Sequence, residues 1–342
     1  MGGGTFDVTV VRYTPTKFSV IATDGDTFLG GVDWTNRLLD HVSGKFIERF
    51  QLDPRDDPRM KLILTDRCER AKIELSEALQ ATVRVSYHRK LFEVVITRSE
   101  FEDLTADLFQ RTRDTIELVL ELAEVDPTSL DHVLVIGGAT RMPAVLQMLE
   151  RICGQPPCRT LYPQLAVAQG AAIHAAILDA QETGRGGRMA QSVLKRLQSV
   201  STIDVNSHSL GVEISDPQNS ARKRNHIMIP RNTHLPAAAE QQFVTTLPNP
   251  PGIEIRLLEG EAAESGACTL VGRLRIAGLP PNLPVGSPVQ IIYRYDAQRR
   301  IHVSARELTT NKAASVQIVW ENSVNRDAMQ MLSRLASEYQ VE

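Results

Sequence analysis

Four short stretches of this chain combine residue types and spacings that suit chemistry. Gly2-Gly3-Gly4-Thr5-Phe6-Asp7 sets three glycines ahead of a hydroxyl and a carboxylate. Glycine backbone can approach an anion closely and offer its N–H groups. Gly30-Gly31 precedes a helical pattern that starts at Asp33, and Gly137-Gly138-Ala139-Thr140-Arg141-Met142-Pro143 lies between an apolar run and a helix opened by proline. Strand, glycine turn and helix N-terminus together make a place for an anion or a nucleoside. Glu69, Lys72 and Ser76 stand at i, i+3 and i+7, so they project from one helix face. Ile73 beside them offers an apolar platform while the polar groups bind hydroxyls and ring nitrogens. Taken singly, each stretch also has a structural reading: a flexible terminus, ordinary turns and a solvated helix face.

A chain of 342 residues is long enough for two or more domains, each with its own core. With 42% hydrophobic and 23% charged residues it has the balance of a globular protein rather than a disordered or fibrous one. A formal net charge of -3 provides no global positive field, which argues against bulk nucleic-acid binding. Cys68, Cys153, Cys158 and Cys268 form no CxxC pair and have no histidines at zinc spacing, so they read as reduced core residues and no metal site is assigned. No apolar stretch reaches bilayer length and no signal-peptide pattern opens the chain, which makes the cytoplasm the expected compartment and leaves no membrane partner.

The elements that must position these stretches follow from periodicity. Residues 6–11 and 18–23 read as a hairpin around Thr14-Pro15, and Leu38, Val42, Phe46 and Phe50 give a buried helical face ended by the loop Asp53–Pro58. Leu64, Cys68, Leu75 and Leu79 mark a second helix, followed by paired strands at Ala81–Tyr87 and Phe92–Thr97. Thr97 with Glu100 suggests a capping box for one long helix through Leu122. Val133–Ile136 reads as a buried strand of a parallel sheet, and the Ala-rich stretch Ala166–Leu178 as a closely packed helix. Gly184–Arg188 marks a flexible basic junction, after which short strands and turns such as Asn249-Pro250-Pro251-Gly252 indicate a compact β domain. Arg326–Tyr339 looks helical.

In order and with few gaps, the four stretches resemble the DnaK-like, seventy-kilodalton heat-shock chaperones, whose GGGTFD, LGG-x-D, E-x-x-K-x-x-x-S and GG-x-TR-x-P motifs bind nucleotide. Here these are Gly2–Asp7, Leu29–Asp33, Glu69–Ser76 and Gly137–Pro143. Ser209-Leu210-Gly211-Val212-Glu213 and Asn232-Thr233 with Pro236 resemble the family's SLGIE strand and N-T-x-x-P turn. The resemblance implies an α/β actin-like ATPase lobe, the second lobe only, followed by a β-sandwich peptide-binding domain and a short C-terminal helix. The expected boundaries are 1–180 for the lobe and its returning helix, 181–203 for a linker with an insertion, 204–322 for the β domain and 323–342 for the start of a helical lid. It further implies ATP or ADP with Mg2+, Thr5 and Asp7 as catalytic groups, and Gly2, Gly3, Gly4, Thr5, Gly30, Gly31, Glu69, Lys72, Ile73, Ser76, Gly137, Gly138 and Arg141 as nucleotide contacts. Val212, Phe243, Ile253 and Ile255 would line a groove for extended apolar peptide, with Ser215 and Thr246 at an arch over it. Core packing is the other reading of those apolar strand residues. Implied partners are unfolded or extended hydrophobic polypeptides, a J-domain co-chaperone and a nucleotide exchange factor.

The chain opens inside the phosphate motif, and no second copy of the family's first lobe, with its lysine and glutamate, follows downstream. The expectation is therefore a fragment or shortened homologue that does not hydrolyse ATP alone, because phosphoryl transfer needs groups on both sides of the γ-phosphate. Ala139 and Gln164-Leu165 depart from the family's serine and acidic pair, and Val200–Asp204 departs from its leucine-rich linker. Arg222-Lys223-Arg224 sits in an insertion that reads as a solvated loop or as a basic addition beside the arch. The competing functions are a nonenzymatic peptide-binding scaffold and, from the shared ATPase architecture, a sugar kinase or actin-like relative.

Overall fold

The computed structural model describes residues 1–158, 162–183, 191–216, 219, 222–246, 248, 252–296 and 300–318. It divides into two compact units, Met1–Thr202 and Ile203–Glu342.

In the first unit, β1 (Phe6–Tyr13) and β2 (Lys17–Asp26) pair antiparallel, with Tyr13 opposite Phe18, and β5 (Ser201–Ile203) adds to the β2 side. Helix α1 (Gly31–Phe50) starts where the Asp33 carboxylate accepts from Gly30 N at 2.7 Å. Its buried stripe is Trp34, Leu38, Val42 and Phe46. Helix α2 (Pro58–Glu77) is capped by Asp57, which accepts from Arg59 N at 2.8 Å, with Pro58 at the first helical position. Its far end is closed from outside: Arg98 Nε donates to Leu75 O at 2.7 Å and its Nη2 to Ala78 O at 2.9 Å. Strands β3 (Gln80–Tyr87) and β4 (Lys90–Thr97) alternate cleanly, turning Ala81, Val83, Val85, Val94 and Ile96 onto the same core as α1 and α2.

Several expectations need correction. Leu79 lies beyond the end of α2 and is exposed. The loop after α1 contains a 3-10 turn, Pro54–Asp56, capped by Asp53. Thr97 does accept from Glu100 N at 3.2 Å, but the helix it starts is broken in two, α3 (Arg98–Leu104) and α4 (Ala106–Leu122). The break falls at Thr105, a buried residue whose hydroxyl donates back to Phe101 O at 2.8 Å, the bond that competes with regular helix. Val133–Ile136 is not a buried strand: Leu134 makes a single parallel bridge to Cys158 and is exposed. Pro143 opens α5 (Pro143–Cys153) as its residue type dictates, and Gly154 ends it at φ 67. The Ala-rich segment forms α6 (Ala166–Thr183), yet Val167, Ile173 and Leu178 are exposed rather than packed. The stretch expected to be a linker contains α7 (Gln191–Ser199) and β5; its basic junction at 184–188 lies outside the described residues.

The second unit holds two four-stranded antiparallel sheets. One has the order β10 (Thr269–Ile276), β9 (Ile253–Glu259), β6 (Leu210–Ser215), β7 (Lys223–Ile229); the other has β13 (Lys312–Ile318), β12 (Ile301–Glu307), β11 (Pro288–Tyr295), β8 (Ala237–Val244). Their inward residues, including Leu210, Leu257 and Ile276 from one sheet and Ile291, Tyr293 and Val303 from the other, form one core. Within it the Tyr293 hydroxyl donates to Gly211 O at 2.7 Å, and burial pushes its pKa up. Lys223 and Arg224, expected in a solvated loop, instead belong to β7 opposite Ser215 and Ile214. The turn at Asn249–Pro251 and the helix expected at Arg326–Tyr339 fall outside the described residues. All four cysteines are free thiols; Cys68 and Cys153 are buried, Cys158 and Cys268 half-buried, and desolvation pushes the Cys68 pKa up to about 12.

Candidate functional site

Three glycine segments, far apart in sequence, meet in the first unit. The N–H groups of Gly31 and Val32 donate to Gly2 O at 2.9 Å and Gly3 O at 2.8 Å, so the first turn of α1 holds the N-terminal glycine loop rather than pointing at open solvent. A side chain on Gly30 would lie 2.5 Å from Gly3 O and from Gly4 backbone, which leaves room for glycine alone. Gly137, at φ +95, packs so closely that a Cβ would sit 2.0 Å from Met1 O, and Met1 N donates to Ile136 O at 2.7 Å. Ala139 closes the group, 3.5 Å from where a Gly31 Cβ would be.

Helix α2 enters this junction through Lys72. Its ammonium is buried and donates to Gly31 O at 2.8 Å, Thr35 Oγ1 at 3.0 Å and Glu69 Oε2 at 2.6 Å. Thr35 also bonds Glu69 Oε2. Sequence reasoning singled out Glu69 and Lys72 but missed Thr35, which stands four residues past Gly31 and so on the same face of α1. Arg98, which holds the end of α2, was missed as well, because its contact with Leu75 O spans 23 positions of sequence. Ile73 is 57% exposed, open enough to receive a ring, and the Ser76 hydroxyl donates to Lys72 O at 3.4 Å. Arg141 is exposed and donates to Gln164 Oε1 at 3.0 Å, while Gly137 N donates to Pro163 O at 2.8 Å.

Nothing lies within 4 Å of a Cβ built on Gly3, Gly4 or Gly138. Among the described residues, no hydrogen bond uses the N–H of Gly3 or Gly4. Open space beside unpaired glycine N–H groups fits phosphate. A magnesium ion fits less well. It takes six oxygens, whereas Asp7 is a single exposed carboxylate whose nearest partner is the Thr5 hydroxyl at 3.3 Å. No group of three or more metal-ligating side chains occurs among the described residues. A cavity of about 580 Å³ between α4 and α5, floored by Leu120, Met148 and Ile152, shares no residue with this junction.

In the second unit the six expected peptide contacts separate by burial. Val212 and Ile255 are 1% and 5% exposed and belong to the core between the sheets, where they present no surface to a ligand. Phe243 and Ile253 pack against that core but remain partly exposed, and Phe243 meets the His226 ring edge-on at 5.3 Å. Ser215 accepts from Lys223 Nζ at 2.9 Å, and Thr246 is exposed.

No helix among the described residues is long and apolar enough to cross a membrane. Comparison with known proteins gives a match of residues 1–342 to the family described as Hsp70 protein. The chaperone protein DnaK of Deinococcus deserti is 32% identical over 349 residues, covering 99% of this chain and 52% of its own length. DnaK of Thermosipho africanus is 31% identical, covering 99% of the chain and 55% of the relative, and DnaK of Thermus thermophilus 32%, covering 100% and 54%. The chain thus spans about half the length of the curated relatives it matches. A family match along all 342 residues, on a chain whose glycine turns and Glu69–Lys72 helix meet at one point, means that this chain belongs to the Hsp70 family.

Proposed function

We propose that this chain is the nucleotide-holding and peptide-holding portion of a DnaK-like chaperone. The first unit binds ATP or ADP at the glycine junction, and the second binds extended hydrophobic segments of unfolded polypeptides. The observation that carries this reading is the meeting of Gly2–Gly4, Gly30–Gly31 and Gly137–Ala139 around Lys72, with the exposed Ile73 one residue further along α2. Phosphates lie against the open N–H groups of Gly3 and Gly4, and the nucleoside lies on Ile73 between Glu69 and Ser76. Mg2+ accompanying the nucleotide would neutralise phosphate charge, and Asp7, next to the glycine loop in sequence, would be a carboxylate available to it. This chain alone binds nucleotide without turning it over, since Thr5 and Asp7 face the phosphates from one side.

In the second unit an extended chain gains main-chain hydrogen bonds and a few apolar pockets. The side chains placed to offer such pockets are Phe243 and Ile253, while Val212 and Ile255 support them from the core. The full cycle, with a J-domain co-chaperone and an exchange factor, belongs to the same reading and is supported by the family membership.

One purified sample with two ligands tests it. Titrating ADP into the chain and into Ile73→Asp, the substitution weakens ADP by about tenfold, equivalent to about 1.4 kcal/mol, and leaves peptide binding unchanged. Labelled apolar heptapeptides of unrelated sequence bind with similar strength, and Ile253→Asp abolishes all of them. Failure to bind ADP overturns the nucleotide half. A single strongly preferred peptide favours a scaffold with one dedicated partner. Hydrolysis above a boiled control, lost in Asp7→Ala, overturns the claim that turnover is absent.

A further inference from the structure

The cavity of about 580 Å³ between α4 and α5 has an apolar floor of Leu120, Met148 and Ile152. Its volume lies in the range of small-molecule sites. The ends of the two helices converge beside it. A Cβ on Gly154, the residue that ends α5, would lie 3.5 Å from Thr128 Cγ2, in the 3-10 turn Pro127–Ser129 just past α4. A helix C-terminus carries partial negative charge, and two of them at one place favour a cation.

Five charged side chains line the cavity, and three have an ordinary reason to be there. Arg113 Nε meets Glu117 Oε1 at 2.7 Å, one turn apart on α4. Arg151 stands in the last turn of α5, where the dipole favours a cation. Glu121 and Glu124 have no such reason. Both lie at the C-terminal end of α4, where the dipole disfavours an anion, and neither carboxylate has an ion pair among the described residues. Glu124 also takes φ 52, the left-handed conformation that helix ends usually give to glycine. Two carboxylates are thus kept where they cost stability, at the edge of an apolar cavity large enough for a ligand.

We propose that this cavity binds a small organic cation, an amine or guanidine on an apolar body. The body lies on Leu120, Met148 and Ile152, and the cationic head lies at Glu121 and Glu124. With Arg113 paired to Glu117 and Arg151 set against the end of its own helix, the charge left over for a ligand is negative. The site shares no residue with the glycine junction or with the second unit, so it stands apart from the nucleotide and peptide readings above.

The probes are tryptamine, skatole and indolepropionate, which carry one ring system with a positive, a neutral and a negative tail. They are titrated into the full chain, isotope-labelled at its methionine methyls, with the Met148 resonance assigned by its loss in Met148→Leu. Tryptamine moves the Met148 methyl saturably and binds about three- to tenfold more tightly than skatole, while indolepropionate binds most weakly. In the double variant Glu121→Gln with Glu124→Gln the tryptamine advantage disappears, and skatole binds as before. Equal binding of tryptamine and skatole to the wild type overturns the cation site and leaves only an apolar cavity. Tighter binding of indolepropionate overturns it in favour of an anion at Arg151. An advantage that survives in the double variant overturns the role given to Glu121 and Glu124. A Met148 methyl unmoved by millimolar concentrations of every probe overturns the site altogether.

Discussion

A methyl group at position 137 has nowhere to go. It would stand 2.0 Å from Met1 O, and the backbone there is at φ +95, a region that side-chain-bearing residues rarely adopt. Gly137→Ala therefore destabilises the first unit by about 2 kcal/mol or more, read as a lowered urea midpoint. Gly138→Ala, with open space around its Cβ, shifts the midpoint far less. At this scale the sequence was informative about which residues gather and less so about what each does. The spacing of Glu69, Lys72 and Ser76 places them on one face of α2, and the glycines announce close backbone approach. The Lys72 ammonium also meets Thr35 on another helix, a contact that no spacing within α2 can reveal. Val212 and Ile255 show the reverse ambiguity: alternation in a strand marks an inward side chain but does not separate a core from a groove wall.

At the scale of elements, α1 and α3 are joined where Glu100 meets the Lys45 ammonium at 3.1 Å and the His41 imidazole at 3.2 Å. Burial, followed by the Lys45 charge, lowers the His41 pKa below its ordinary 6.5, with Glu100 and Glu48 opposing in smaller measure. As pH falls below 6.5 the unfolded chain takes up a proton on this imidazole that the folded chain resists. The His41 contribution to stability is thus complete above 6.5 and is lost progressively as the solution is acidified toward the depressed value. Urea titrations of the first unit between pH 7 and pH 5 show a decline that His41→Gln reduces, and an unchanged slope in that variant contradicts the assignment. Elements with strong periodicity, such as α1, β3 and β4, were legible because burial on one face dictates them. The break at Thr105 was not, because a single threonine back-bond competes with an otherwise unbroken helical pattern. The β3–β4 hairpin was legible from its alternating strands, although its turn puts His88 and Arg89 at φ 47 and 61 without the glycine or asparagine that usually signals one. Val133–Ile136 misled because an apolar run of four residues fits a buried strand without requiring one.

At the scale of the whole molecule, each unit has its own hydrophobic core, one built on Trp34, Leu38 and Phe46 and the other on Leu257, Tyr293 and Ile301. Separate cores give separable stabilities. Tyr293→Phe removes the hydrogen bond to Gly211 O and destabilises the second unit by about 1 kcal/mol. Calorimetry resolves two transitions, of which only one moves; a single transition that shifts as a whole contradicts the division. The length of the chain and the change in texture near residue 204 are the sequence's signals of more than one domain, since turn-rich short strands and amphipathic helices seldom share a core. The thiols add a practical consequence. Cys68, fully buried with its pKa pushed up to about 12, and Cys153, also buried and raised, resist alkylation. A maleimide dye reacts first with Cys158 and Cys268, one in each unit. The native sequence thus already carries the donor and acceptor positions for a fluorescence ruler between the two units, with no cysteine to be engineered in.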